Sequence, residues 1–225
     1  MDGAIITLIA ANVAFVGTHF AMSHPLRAPM VKALGAGGFQ AAYTVVSFAA
    51  LAWVYFAFIA APPADLPGSG DIGWIAATII TLPAMILLAG SFMGNPALPT
   101  PMAEAQARAE PKGVFKVTRH PMMWAIGLWA ASHIILFWST RTLVTALAMG
   151  ILALVGAKFQ DAKKEVLMGA AWAEWESKTS YWPRWGALPS VGAVPLIAGT
   201  VLWLAGSYIH LWRAGIPAGV FKWLA

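Results

Sequence analysis

The chain has 225 residues, 60% hydrophobic and only 10% charged, with a formal net charge of +5. Soluble domains average about 25% charged residues, so a fully water-facing surface is excluded, and the chain reads as a single all-α helical bundle in a lipid bilayer. It has no cysteine, which excludes disulfides, thiolate metal sites and covalent haem attachment through a Cys-x-x-Cys-His motif.

Residues 4–22 carry no charge and come close to the ~20 residues that cross a bilayer core. No basic region precedes the run and no clear small-residue cleavage site follows it, so a retained first helix is expected. Asn12 and His19, seven apart, share one face of it. Ser23-His24-Pro25 ends the helix, since proline cannot continue the hydrogen-bond ladder. Residues 26–34, with Arg27 and Lys32, are expected at the interface. Residues 39–61 form the second uncharged run, and a short acidic loop with Asp65 and Asp71 follows at Pro62-Pro63 and Pro67-Gly68.

Residues 72–93 are the third span, with a kink expected at Pro83. The longest polar connection, 95–119, is proline-rich and contains one helical signal, Ala-Glu-Ala-Gln-Ala-Arg at 103–108. Residues 121–138 and 142–157 are short spans that form a tight hairpin around Ser139-Thr140-Arg141. Residues 161–184 interleave charge with Trp172, Trp175, Tyr181 and Trp182, the pattern of an interfacial amphipathic segment and an aromatic belt. Residues 190–212 form the last uncharged run, so about six spans are expected.

The basic residues are asymmetric. The first, third and fifth connections hold Arg27 and Lys32, then Arg108, Lys112, Lys116 and Arg119, then Lys158, Lys163, Lys164, Lys178 and Arg184: eleven against Arg141, Arg213 and Lys222 on the other side. Positive-inside logic places both termini on the non-cytoplasmic face, with the bacterial inner membrane as the expected location. This sidedness accounts for the net positive charge without invoking nucleic acid.

Four imidazoles fall at or inside spans: His19, His120, His133 and His210. Each taken singly is as well explained by an interhelical hydrogen bond. Ionisable groups in membrane-length apolar runs are costly, usually face the bundle interior, and often serve function. Without cysteine or an intramembrane carboxylate, a zinc hydrolase site is poorly supplied. Two histidines from facing helices suit haem b. The stretch Thr118 to His133 is the densest in such chemistry. There Arg119, beside His120 at the cytoplasmic mouth, reads either as a side chain that snorkels to the headgroups or as the holder of an anionic group such as a haem propionate, a phosphate or a carboxylate. Trp129, one turn before His133, is placed to pack on a porphyrin.

Taken together, Gly17-Thr18-His19, Thr118-Arg119-His120-Pro121, Leu128-Trp129-Ala130-Ala131-Ser132-His133 and the late His210 resemble the NnrU family over nearly the whole chain. That family is associated with denitrification and is related to cis-zeta-carotene isomerase, a membrane enzyme with haem b. The resemblance implies haem binding, with His19 and His133 as the metal ligands. Arg119, His120, Trp129 and His210 are then further cofactor contacts. The isomerase's cysteine three residues before the second histidine is Ala130 here. Where the family shows His-Pro-Trp, this chain has His210-Leu211-Trp212.

Helix depth gives different pairs. His133 lies thirteen residues beyond His120, about 20 Å further into the membrane. By that count His19 pairs with His120, and His133 with His210; all three pairings stay open. Arg119-His120-Pro121 with the later Glu165, Gly169, Trp172 and Trp175 is also similar to isoprenylcysteine carboxyl methyltransferases, implying S-adenosylmethionine as the alternative cofactor. A non-enzymatic electron carrier or assembly factor is a further alternative. The partners these readings imply are the bilayer, a hydrophobic small molecule and a redox protein.

Overall fold

The computed structural model describes residues 2–224. It is all-helical, with no strand among the described residues. Five helices are long and apolar enough to cross a membrane: α1 (Gly3–Ser23), α2 (Arg27–Ala60), α3 (Gly70–Gly90), α6 (Thr140–Met168) and α8 (Ala193–Ala214). A sixth apolar helix, α5 (Pro121–Leu136), has 16 residues, about 24 Å of rise. Short helices α4 (Ala103–Arg108), α7 (Ala170–Lys178) and α9 (Phe221–Leu224) complete the set.

Side-chain burial runs as lipid requires. Large apolar residues such as Val13, Phe48, Ile72, Ile79 and Ile197 are exposed, whereas small ones line the helix contacts. Ala11, Ala57, Ala84, Ala125, Ala130, Ala146 and Ala153 are buried, letting backbones approach closely. A Cβ on Gly127 would stand 2.9 Å from Leu154 Cδ2, and one on Gly199 would meet the backbone of Ile86. These two positions mark the α5–α6 and α3–α8 crossings. α1 packs on α2 and α6, α5 on α3 and α6, and α8 chiefly on α3.

The helix ends explain the boundaries. Asp2 caps α1 by accepting from the Ala4 N–H at 3.0 Å. Gly35, at φ 72°, breaks α2 into a short basic arm and the span proper. α5 ends at Phe137, in the left-handed region at φ 48°. There the N–H groups of Leu66, Gly68 and Ser69 donate to the carbonyls of Trp138, Phe137 and Leu136. This cap from the 66–69 loop closes the helix before the end of the uncharged run.

The structure corrects two expectations at the polar end. α6 does not stop near Ala157 but continues to Met168 and ends at Gly169. The charges after Ala157 mark the exit from lipid, and every residue from Lys158 to Met168 can continue a helix. Trp172 and Trp175, read as belt residues, are buried, with 0% and 2% exposure. They form the core of a cap with Ile86, Leu87, Val114, Phe115, Val117 and Val191. A second core, around Leu8, Ala11, Phe15, Val54 and Ala57, joins α1 and α2 toward the opposite end.

Candidate cofactor cavity

α8 leans on α3 and diverges from α5, leaving a cavity of about 440 Å3 away from the cap. Its walls include Trp74, Thr81, Trp129, His133, Trp203 and His210. The structure brings His133 and His210 across it, ring centres 6.1 Å apart and 40° from parallel. Trp129 lies 4.4 Å from the His133 ring, tilted by 38°. Each imidazole is fixed by its own helix: His133 Nδ1 is 2.8 Å from the Trp129 carbonyl, and His210 Nδ1 is 2.7 Å from the Gly206 carbonyl. A carbonyl only accepts, so the hydrogen belongs on Nδ1 in both rings. Nε2 is left with its lone pair, the arrangement found in metal-ligating histidines.

The far end of the cavity holds a further cation. Arg141 Nη1 donates to the carbonyls of Ala61 at 2.9 Å and Phe58 at 3.3 Å, capping α2. Its Nε and the hydroxyl of Thr145 are buried without a partner, and both residues line the cavity.

Arg119 and His120 are elsewhere, at the cap end. The longer α6 carries Asp161 to them. Asp161 accepts from Arg119 Nε at 3.0 and 3.1 Å, from Nη2 at 2.7 Å, and from His120 Nε2 at 2.7 Å. Glu176 of α7 adds a second carboxylate at 3.0 Å from Arg119 Nη2. The anionic group that Arg119 holds is thus the chain's own. The His120 side chain is 0% exposed. Burial pushes the Glu176 carboxyl above the usual range although Arg119 opposes the shift. Burial, then the charge of Asp161, raises the Tyr181 phenol. Around this cluster the segments 117–119 and 180–184 are tied together by two backbone hydrogen bonds. The N–H groups of Arg119 and Arg184 donate to the carbonyls of Ser180 and Val117, both at 2.8 Å, and Tyr181 donates its hydroxyl to the Leu154 carbonyl at 2.7 Å.

His19 lines a different cavity, of about 300 Å3, between α1, α5 and α6. It packs on Phe15 and Tyr43, with its Nδ1 2.8 Å from the Phe15 carbonyl. His19 and His133 are therefore not brought together. Nor is His120 paired with His19; it meets Gln160, which lines that cavity, through Nδ1 at 3.3 Å.

A family model described as NnrU protein matches residues 7–218, nearly the whole chain. The chain belongs to the NnrU family. No curated protein and no solved structure matches it. This NnrU protein is an integral membrane protein, and the matched region takes in both cavities and the Arg119–His120–Asp161 cluster.

The donor set decides what the NnrU cavity can hold. Among the described residues no group of three or more His, Cys, Asp or Glu converges as for a bare metal ion. A macrocycle that brings its own four nitrogens needs only two protein ligands. Two imidazoles sharing one metal stand roughly 6 Å apart between ring centres, given metal–nitrogen bonds of about 2 Å. The volume falls in the ~300–1,000 Å3 range of small-molecule and cofactor sites. The residues fit a haem on these counts.

Proposed function

We propose that this NnrU protein binds haem b non-covalently in the cavity between α3, α5 and α8 and serves as a membrane electron carrier. The observation that carries the reading is the pair of anchored imidazoles, His133 and His210, with ring centres 6.1 Å apart on the wall of one apolar cavity and each Nδ1 held by its own helix. His133 and His210 would hold the iron, Trp129 would pack against the group, and Arg141 would face a carboxylate of it. Held by these two imidazoles, a haem would supply one-electron chemistry. The protein's part is to fix the two rings and to surround them with a mostly apolar wall. A carrier role is favoured over isomerisation by the residue at 130: alanine offers no thiolate to exchange with a histidine. The family's association with denitrification, a respiratory process, agrees with it. The eleven basic residues gathered at the cap end support placing that end in the cytoplasm, with both termini on the other face of the bacterial inner membrane.

The test is haem retention by purified variants expressed with ample haem. His133→Ala and His210→Ala should each lose haem or convert it to a high-spin form, read by the Soret band and the pyridine haemochrome. His24→Ala should keep the wild-type spectrum. Loss in His19→Ala with full retention in His210→Ala would overturn the pair in favour of His19 and His133.

A further inference from the structure

The second cavity sits at the basic end and is separate from the proposed haem site. Its wall is largely apolar, with Phe15, Met122, Ile126, Met149 and Leu152, and His19, Tyr43 and Gln160 also line it. Along α1 it reaches from Phe15 to His24, about 14 Å of helix. Its rim is polar, with Ser23, His24 and Lys163 at the end of the span, where lipid headgroups lie.

The charges at this rim are unbalanced. Arg108, Arg119 and Lys178, at the same end of the bundle, each have a carboxylate within 4.0 Å. Lys163, which lines the cavity, has none among the described residues, and neither do Arg27 and Lys164, which lie outside its lining. Lys164 Nζ donates to the Pro96 carbonyl at 3.1 Å, and the Arg27 guanidinium lies over the Phe39 ring at 5.7 Å. The Arg27 N–H donates to the His24 carbonyl at 3.3 Å, which sets Arg27 one turn from the His24 and Lys163 rim. Like charges gathered without a counter-ion at the edge of a low-dielectric region repel one another, and the missing partner is an anion. A small free anion would meet the charge and leave the apolar part of the cavity unfilled. An anion carrying an alkyl chain meets both, and a basic pocket between helices on the cytoplasmic side is the form such lipid sites take.

We infer that the cavity between α1, α5 and α6 is a binding site for an anionic phospholipid. The phosphate sits at Arg27 and Lys163, and one acyl chain enters the cavity toward Phe15. The cations set the preference for charge, and the depth of the cavity requires a chain.

The experiment is native mass spectrometry of the full-length protein, titrated in detergent with phosphatidylglycerol and with phosphatidylcholine of the same acyl chains. Wild type should bind phosphatidylglycerol at least about tenfold more tightly. Arg27→Gln combined with Lys163→Gln should bring the two lipids within about twofold. The charge-keeping pair Arg27→Lys with Lys163→Arg should retain the preference, which separates lost charge from lost fold. Gly156→Leu, which projects into the cavity near Phe20, should weaken phosphatidylglycerol about tenfold without changing the thermal midpoint. Equal binding of the two lipids by wild type would overturn the site. Displacement of phosphatidylglycerol by equimolar inorganic phosphate would overturn the role of the chain. Equal competition by oleate would overturn the phospholipid in favour of a fatty carboxylate.

Discussion

Asp161→Ala is the sharpest probe of how the cap is held on the bundle. The carboxylate is 1% exposed and accepts from two partners at once, the Arg119 guanidinium, 10% exposed, and the fully buried His120. Removing it leaves a guanidinium and an imidazole in a site built for an anion. Breaking a buried ion pair by deleting one partner costs about 3–5 kcal/mol. Glu176 remains 3.0 Å from Arg119 Nη2 at 26% exposure, and a partly exposed pair of that kind returns about 0–1 kcal/mol. The expected loss is therefore about 3 kcal/mol. Reversible unfolding in mixed micelles, followed by tryptophan fluorescence, reads it, because Trp172 and Trp175 lie in the same cap. Combining Asp161→Ala with Arg119→Met should cost less than the sum of the single changes, with a coupling of about 1–3 kcal/mol. A loss below about 1 kcal/mol, or strict additivity, would refute the view that this cluster pins the cap.

Three further outcomes follow from the packing and the charges. Gly199→Ala places a methyl group against the Ile86 backbone and should cost about 1–3 kcal/mol, whereas Gly17→Ala meets nothing within 4 Å and should be near neutral; thermal midpoints in detergent compare them. His24 is held below the ordinary value of 6.5 by burial and then by Lys163. NMR of ring-labelled histidine should show it titrating below that value, and Lys163→Gln should raise its midpoint. Because the depressed value favours the neutral ring, the stability His24 contributes is present above 6.5 and lost as pH falls through its folded-state midpoint. Reporter fusions should give non-cytoplasmic signal at the C-terminus and cytoplasmic signal in the 179–184 segment; a cytoplasmic C-terminus would reverse the assigned orientation.

The spans were legible because lipid imposes one strong rule, long uncharged runs, and the runs near 4–22, 39–61, 72–93 and 190–212 lie within a few residues of α1, the second part of α2, α3 and α8. The end of α6 was not, because a charge reports departure from lipid while a helix ends where its hydrogen bonds are capped. Gly169, at φ 51°, was the available sign. Asp161, 42 residues from Arg119 in sequence, reaches it because α6 continues past Ala157. The burial of Trp172 and Trp175 is not legible in sequence, because aromatics interleaved with charge suit an interface and a small buried cap equally well. The meeting of the His133 and His210 rings follows from depth along two helices, which rise per residue supplies. The partition of His19 into another cavity depends on which face of α6 each neighbour packs against, and no local pattern in α1 or α5 records that.

Low-temperature electron paramagnetic resonance of the ferric wild-type protein, purified with haem supplied, tests the central claim most directly. Two imidazoles facing one iron give a low-spin spectrum at about one haem per chain, lost in His133→Ala and in His210→Ala. A colourless protein, or a purely high-spin signal unchanged by either substitution, would contradict the assignment of haem to His133 and His210.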